Sequence, residues 1–297
     1  MRVIVAGANG FIGSNLCKHF QKSNVEFIGL VRSHALNIDK KINSNLVKLK
    51  NHELLPLQIQ ELFNSFKPTA LINAATMYIR KDDATLLSRL VESNISYPSQ
   101  LLENCIKNNV KFINLSSNWQ SKNDKKYNSV NLYAASKNSF EILLSYLCET
   151  KQIMASSVIL YDTYGPNDLR DKVLNNLIMN AMHNTNMELT YPKKQINLTH
   201  IDDIVKGIEI ILSEKKLMRF YELSNAKNIT LYDLFCIVKN VTQSSFNVSW
   251  KYKTYPDKYE VEQIKNIASY PELWNASIQL SEGIEQMYQA KIKKYYD

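Results

Sequence analysis

The first thirteen residues, MRVIVAGANGFIG, restrict what the rest of the chain can become. RVIVAGA opens as a short strand, because β-branched Val and Ile fit a pleated, buried surface. Gly7, Gly10 and Gly13 follow at G-x-x-G-x-x-G spacing, and FIGSNLCKHFQKS takes up helical periodicity. A strand that turns through glycines into a helix leaves the helix's first N–H groups unbonded and its positive dipole end open. With no β-carbon in the way, an anion can come close to that end, which is the geometry of pyrophosphate binding. Glycines are common in turns, so the spacing gains its weight from the strand-turn-helix setting.

The same alternation runs on. VEFIGLVR, TALINAA, KFINLSS and MASSVILYDT are apolar runs of strand length. Between them, LLPLQIQELFNSF, TLLSRLVESNISYPSQLLENCIKNN and YAASKNSFEILLSYLCETK carry helical patterns. Such alternation predicts an α/β chain, a doubly wound parallel sheet of Rossmann type with helices on both faces. After Tyr164-Gly165-Pro166 the rhythm loosens, although INLTHIDDIVKGIEIILSE still reads as a strand end and helix and SEGIEQMYQAKIKKYYD as a last helix. The expected organisation is a nucleotide-binding domain over 1–165 and a smaller mixed lobe over 166–297, some of whose chain returns to the sheet.

The net charge of +8 could favour an anionic partner. The basic residues are spread along the chain with no zinc-finger or RNP-type signature, so a solvated surface is expected and no nucleic-acid partner. Cys17, Cys105, Cys148 and Cys236 lie far apart without a C-x-x-C pair, which argues against a metal site or disulfide framework. No apolar run is long enough to span a bilayer, and the expectation is a soluble, cytoplasmic chain without a membrane partner.

FIGLVRSH bears on which dinucleotide would bind. NAD sites place a carboxylate at the end of the second strand to hold the ribose 2′-hydroxyl. Here that place holds Val31, followed by Arg32 and Ser33, with no acid between Glu26 and Asp39. A guanidinium fork and a hydroxyl suit a 2′-phosphate, so the expected cofactor is NADP(H).

Tyr133 and Lys137 stand four residues apart at the start of a helical pattern and so share a face. An ammonium beside a phenol is expected to lower the tyrosine pKa. Ser117 ends the preceding strand and can bond the same substrate oxygen. Tyr-x-x-x-Lys is common by chance; downstream of the glycine turn and a Ser-Ser strand end it is not.

With GANGFIG, INAAT, ESNIS, LSS, YAASK, DTYGP, THIDDI and LWNASIQLSEGI in this order, the chain resembles the extended short-chain dehydrogenase/reductase family over nearly its whole length. The resemblance implies a catalytic set of Ser117, Tyr133 and Lys137, with Asn94 completing a proton relay. It implies cofactor contacts from Gly7, Asn9, Gly10, Phe11, Ile12, Gly13, Arg32, Ser33 and Asn51. Asn73, Ala74 and Ala75 would flank the cofactor, which Tyr133 and Lys137 would also touch. Substrate contacts would fall to Thr76, Asn118, Asp162, Arg170 and Lys193, and no metal is implied.

Departures from the family narrow the reaction. Its 4,6-dehydratases carry an Asp-Glu pair directly after the catalytic hydroxyl residue, and its epimerase-reductases a cysteine; here Asn118 and Trp119 follow Ser117. Its 4-epimerases usually keep an acid where Val31 stands. The shortened segment between Ser117 and Tyr133, with NDKKYNSVNLYAASK and YDTYGPND, resembles the CDP-abequose and CDP-paratose synthase type, which implies NADPH-dependent reduction of the C4 ketone of a CDP-linked 3,6-dideoxyhexulose for O-antigen synthesis. Relatives often grip the diphosphate with an arginine where Ile196 stands; Arg170, Lys193 or Lys194 could substitute. Tyr252 and Tyr255 could line a base pocket or simply pack. Relatives often dimerise through the two helices that include the catalytic one, so a homodimer is expected. The alternatives are a nucleotide-sugar 4-epimerase, a non-catalytic NADP-sensing regulator, and a reductase of free ketones.

Overall fold

The computed structural model describes residues 1–31, 45–49, 55–79, 82–120, 129–251 and 268–296. Arg32, Ser33, Asn51, Tyr252 and Tyr255, singled out above, lie outside the described residues. In chain order the first half runs β1 (Arg2–Ala6), α1 (Phe11–Lys22), β2 (Glu26–Val31), β3 (Leu46–Lys48), α2 (Leu55–Phe66), β4 (Ala70–Asn73), α3 (Leu87–Val91), α4 (Tyr97–Lys107), β5 (Lys111–Ser117) and α5 (Leu132–Lys151). The second half runs β6 (Ala155–Leu160), β7 (Asp162–Tyr164), α6 (Val173–His183), β8 (Met187–Thr190), β9 (Gln195–Ile196), β10 (Leu198–His200), α7 (Ile201–Ser213), β11 (Phe220–Leu223), β12 (Ile229–Thr230), α8 (Leu231–Thr242), β13 (Val248–Lys251) and α9 (Leu280–Tyr296).

Seven of these strands form one parallel sheet in the order β11-β6-β5-β4-β1-β2-β3. Its central strands β1, β4, β5 and β6 are buried on both faces, which is why they read as largely apolar runs, while the edge strand β3 is half-buried to exposed. Alternate residues serve opposite sides. Val3, Val5 and Ile113 pack with Phe20 of α1 and Ile204 and Ile208 of α7. Ile4, Leu71 and Phe112 pack with Ile59, Leu101 and Phe140 of α2, α4 and α5. A third core, centred on Leu177, Leu234, Val238 and Ile284, joins α6, α8 and α9. The last strand of the sheet, β11, comes from beyond residue 165, and Asp203 of α7 anchors a later segment by accepting hydrogen bonds from Ser277 and Ile278. No helix among the described residues is long and apolar enough to cross a membrane.

Chain order reverses between β1 and β4, which are direct neighbours in the sheet. The carboxyl ends of these strands therefore open onto a crevice, where an open α/β sheet binds its ligand. Both the glycine turn after β1 and the Ala74–Thr76 segment after β4 sit at that opening.

Candidate active site at the sheet crevice

The glycine turn is shaped by close backbone approach. Gly7 has φ +77°, and a β-carbon there would fall 2.7 Å from the backbone of Ala75. A β-carbon on Gly13 would fall 2.2 Å from the Gly7 carbonyl oxygen. Gly10 caps α1 without a side-chain hydrogen bond, and the first turn holds no acid. The helix thus presents unblocked N–H donors over a cradle that any side chain would fill, a fit for the diphosphate of a dinucleotide. Asn9 is exposed at the rim, with Phe11 and Ile12 half-buried behind it. Asn73 is buried and donates to Asn114 at 3.0 Å, while the N–H of Ala74 returns to the carbonyl of Ala6 at 3.0 Å.

Tyr133 and Lys137 enter on the first turns of α5, whose N-terminus is fixed twice. The side chain of Asn131 accepts from the N–H of Ala134 at 2.9 Å, and Asp82 accepts from the N–H of Leu132 at 2.8 Å. Both catalytic candidates are buried, at 9 % and 7 % exposure. Burial pushes the Tyr133 phenol up to about 12, with Tyr78 adding to the rise; a hydrogen bond with Thr76 and the charge of Arg170 oppose it. The expected lowering by Lys137 is therefore not what this site displays. Lys137 is itself desolvated and held down to about 8, with the carboxylate of Glu141 opposing the fall. A phenol kept protonated at neutral pH is suited to giving up a proton rather than taking one.

Asn94 lies where α3 passes into α4 through a wider π-helical turn, Glu92–Ser96. The helical stretch expected to be continuous is thus interrupted, and such turns gather at functional sites. Pro98 lacks the N–H that would reach back to the Asn94 carbonyl. The Asn94 amide is held on all sides: it accepts from Thr76 at 3.1 Å and from the N–H of Met77 at 2.7 Å, and donates to Met77 and to Ser136. Thr76 therefore links Asn94 to Tyr133.

Ser117 ends β5 and accepts from the N–H of Trp119 at 3.3 Å. Gln120 secures this corner by accepting from the N–H of Ser117 at 2.8 Å and from the hydroxyl of Ser116 at 2.5 Å. The ring of Trp119 meets that of Tyr78, which in turn packs edge-on against Tyr133. Asn118, half-buried, occupies the position between.

Of the expected substrate contacts, Thr76 and Asn118 lie with the Tyr133 cluster. Asp162 accepts from Lys172 at 3.2 Å. Arg170 forks onto Asp168 through Nε and Nη2, both at 2.7 Å, donates to Thr163, and lies 4.3 Å over the Phe11 ring. Its charge also acts on Tyr133, and these donors are already engaged. Lys193 is exposed in the turn between β8 and β9, outside the contacts of the Tyr133 cluster, and Ile196 is buried in the third core.

Glu141 escaped the sequence reading although it falls four residues after Lys137 on the same helix face. It is buried and accepts from Ser157 at 2.7 Å, from Ser116 at 3.2 Å and from Arg219. Replacing Glu141 with Gln removes the charge that supports protonated Lys137, so the Lys137 pKa falls further below about 8. Lysine is charged below its pKa and loses that charge above it; the alkaline limb of the pH–rate profile is expected to move to lower pH in Glu141→Gln. A profile coinciding with wild type would contradict that role.

These elements match a known pattern. A family model described as NAD dependent epimerase/dehydratase family covers residues 3–223. The chain belongs to this family. It is an enzyme family dependent on a nicotinamide dinucleotide, in keeping with the glycine cradle. The chain is 30% identical over 220 residues to the CDP-abequose synthase of Yersinia pseudotuberculosis, covering 72% of this chain and 74% of that one. It is 22% identical to the CDP-abequose synthase of Salmonella typhimurium, with 96% of each covered. Its fold superposes on the UDP-glucuronic acid 4-epimerase of Bacillus cereus, solved with UDP-glucuronic acid and NAD, with TM-score 0.82 at 20% identity and 100% of both chains covered.

Proposed function

We propose that this family member reduces the C4 ketone of a CDP-linked 3,6-dideoxyhexulose with NADPH, as in assembly of O-antigen sugars. The observation that carries the reading is a buried tyrosine–lysine turn beside Ser117 in which Asn118 and Trp119 follow the serine, leaving no carboxylate there for dehydration. The two relatives named CDP-abequose synthase support the same substrate class. Val31, buried and apolar at the end of β2, supports NADPH, since it cannot accept from a ribose 2′-hydroxyl.

Bound NADPH supplies the hydride. Ser117 orients the carbonyl oxygen, and Tyr133 donates its phenolic proton to that oxygen as the alcohol forms. Lys137 holds the nicotinamide ribose and stabilises the resulting phenolate, and Asn94 lies on the path that returns a proton. Gly7, Gly10 and Gly13 seat the diphosphate. Residues 1–165 act as the cofactor domain and 166–297 as the substrate lobe. The reaction belongs in the cytoplasm. Two copies pair through α4 and α5, where Ile142, Leu143 and Tyr146 are exposed; sedimentation mass checks this.

The test is purified protein with NADPH or NADH and a panel of 4-keto nucleotide sugars. Stoichiometric NADPH oxidation is expected with the CDP-linked dideoxy ketone. Interconversion of C4 epimers with cofactor retained and none consumed would instead identify an epimerase, and cofactor binding with no turnover a sensor.

A further inference from the structure

Tyr78 and Trp119 have no part in the proton path, yet they stand beside it. The Tyr78 and Tyr133 rings are 5.1 Å apart at 79°, and the Trp119 ring lies 6.4 Å from Tyr78. Trp119 also donates its backbone N–H to the Ser117 hydroxyl. Tyr78 keeps 41 % of its surface exposed, so part of this aromatic patch is presented and not packed away.

We propose that Tyr78 and Trp119 determine specificity, forming an aromatic wall that selects a sugar with a methylene at C3 and a methyl on C5, the two carbons flanking the ketone. The inference rests on the 4-ketoreductase reading, because Ser117 and Tyr133 locate the carbonyl. Only C3 and C5 adjoin C4, so a wall beside the carbonyl meets the substituents on those two carbons, not the nucleotide. A C3 methylene and the methyl on C5 pack against aromatic surface and leave water. A C3 hydroxyl pressed against a ring face would lose its hydration without gaining a hydrogen-bond partner. Discrimination of this kind is worth about 10- to 100-fold.

The experiment compares kcat/KM for two CDP-linked 4-keto sugars that differ at C3, one with a hydroxyl (4-keto-6-deoxyglucose) and one with a methylene (4-keto-3,6-dideoxyglucose). Wild type is expected to prefer the second about 10- to 100-fold. Trp119→Ala and Tyr78→Leu should shrink that preference at least about 5-fold, mainly by raising KM for the dideoxy ketone. Trp119→Phe, which keeps a ring, should hold it. NADPH affinity and Tm of each variant report that the fold and cofactor site are intact. Reduction by wild type with a preference that none of these changes alters would overturn the wall alone. Binding of NADPH with reduction of neither ketone would overturn the ketoreductase reading and the wall with it.

Discussion

Replacing Tyr133 with Phe is expected to cut kcat for ketone reduction by about 100- to 10,000-fold while NADPH affinity and Tm stay near wild type. The phenol is buried and held up near 12, so its proton is present at neutral pH and available only to a group that meets it directly. Phenylalanine keeps the ring that packs against Tyr78 and removes only the oxygen that bonds Thr76. Loss of a group used in the transition state lowers kcat without a matching rise in KM. Steady-state rates with the CDP-linked dideoxy ketone provide the measurement. A Tyr133→Phe enzyme retaining more than about a tenth of wild-type kcat would remove the proton donor from the account.

Replacing Gly13 with Ala is the second large effect, and it acts on binding. The new methyl would fall 2.2 Å from the Gly7 carbonyl oxygen and 2.8 Å from its carbon, both backbone atoms with little room to give. The turn has to open or α1 has to shift, and either change removes the N–H donors from the cradle. Overpacking of this kind costs about 1–3 kcal/mol of stability, here joined by loss of cofactor affinity. Titration of NADPH fluorescence should show at least about tenfold weaker binding, the equivalent of about 1.4 kcal/mol. Unchanged affinity would mean that the dinucleotide does not lie on this turn.

Much of this was written plainly in the chain. Strand β1, its glycines and α1 are contiguous, so a short window holds the whole signal. Tyr133 and Lys137 share one helix turn, and their spacing alone puts them together. What stayed hidden depends on contacts between segments far apart. Glu141 is recognisable only once Ser116 and Ser157 arrive from β5 and β6 to fill its oxygens. Tyr78 and Trp119 meet because the ends of β4 and β5 are neighbours in the sheet. The π-helical turn at Asn94 left periodicity almost undisturbed, with Pro98 its one local sign. Pairs such as β9 with β12 are two residues long, too short for an alternating pattern to register. Arg170 also donates from Nε and Nη2 to Asp168 and Thr163, which no spacing rule reveals.

The most direct test of the central claim follows one atom. NADPH carrying deuterium at its transferable C4 position is incubated with the CDP-linked 4-keto-3,6-dideoxy sugar, and the product is read by mass spectrometry and NMR. The account predicts one deuterium at sugar C4 for each NADPH oxidised, and none transferred by Tyr133→Phe on the same time scale. A product without deuterium, formed while the NADPH remains unoxidised, would contradict it.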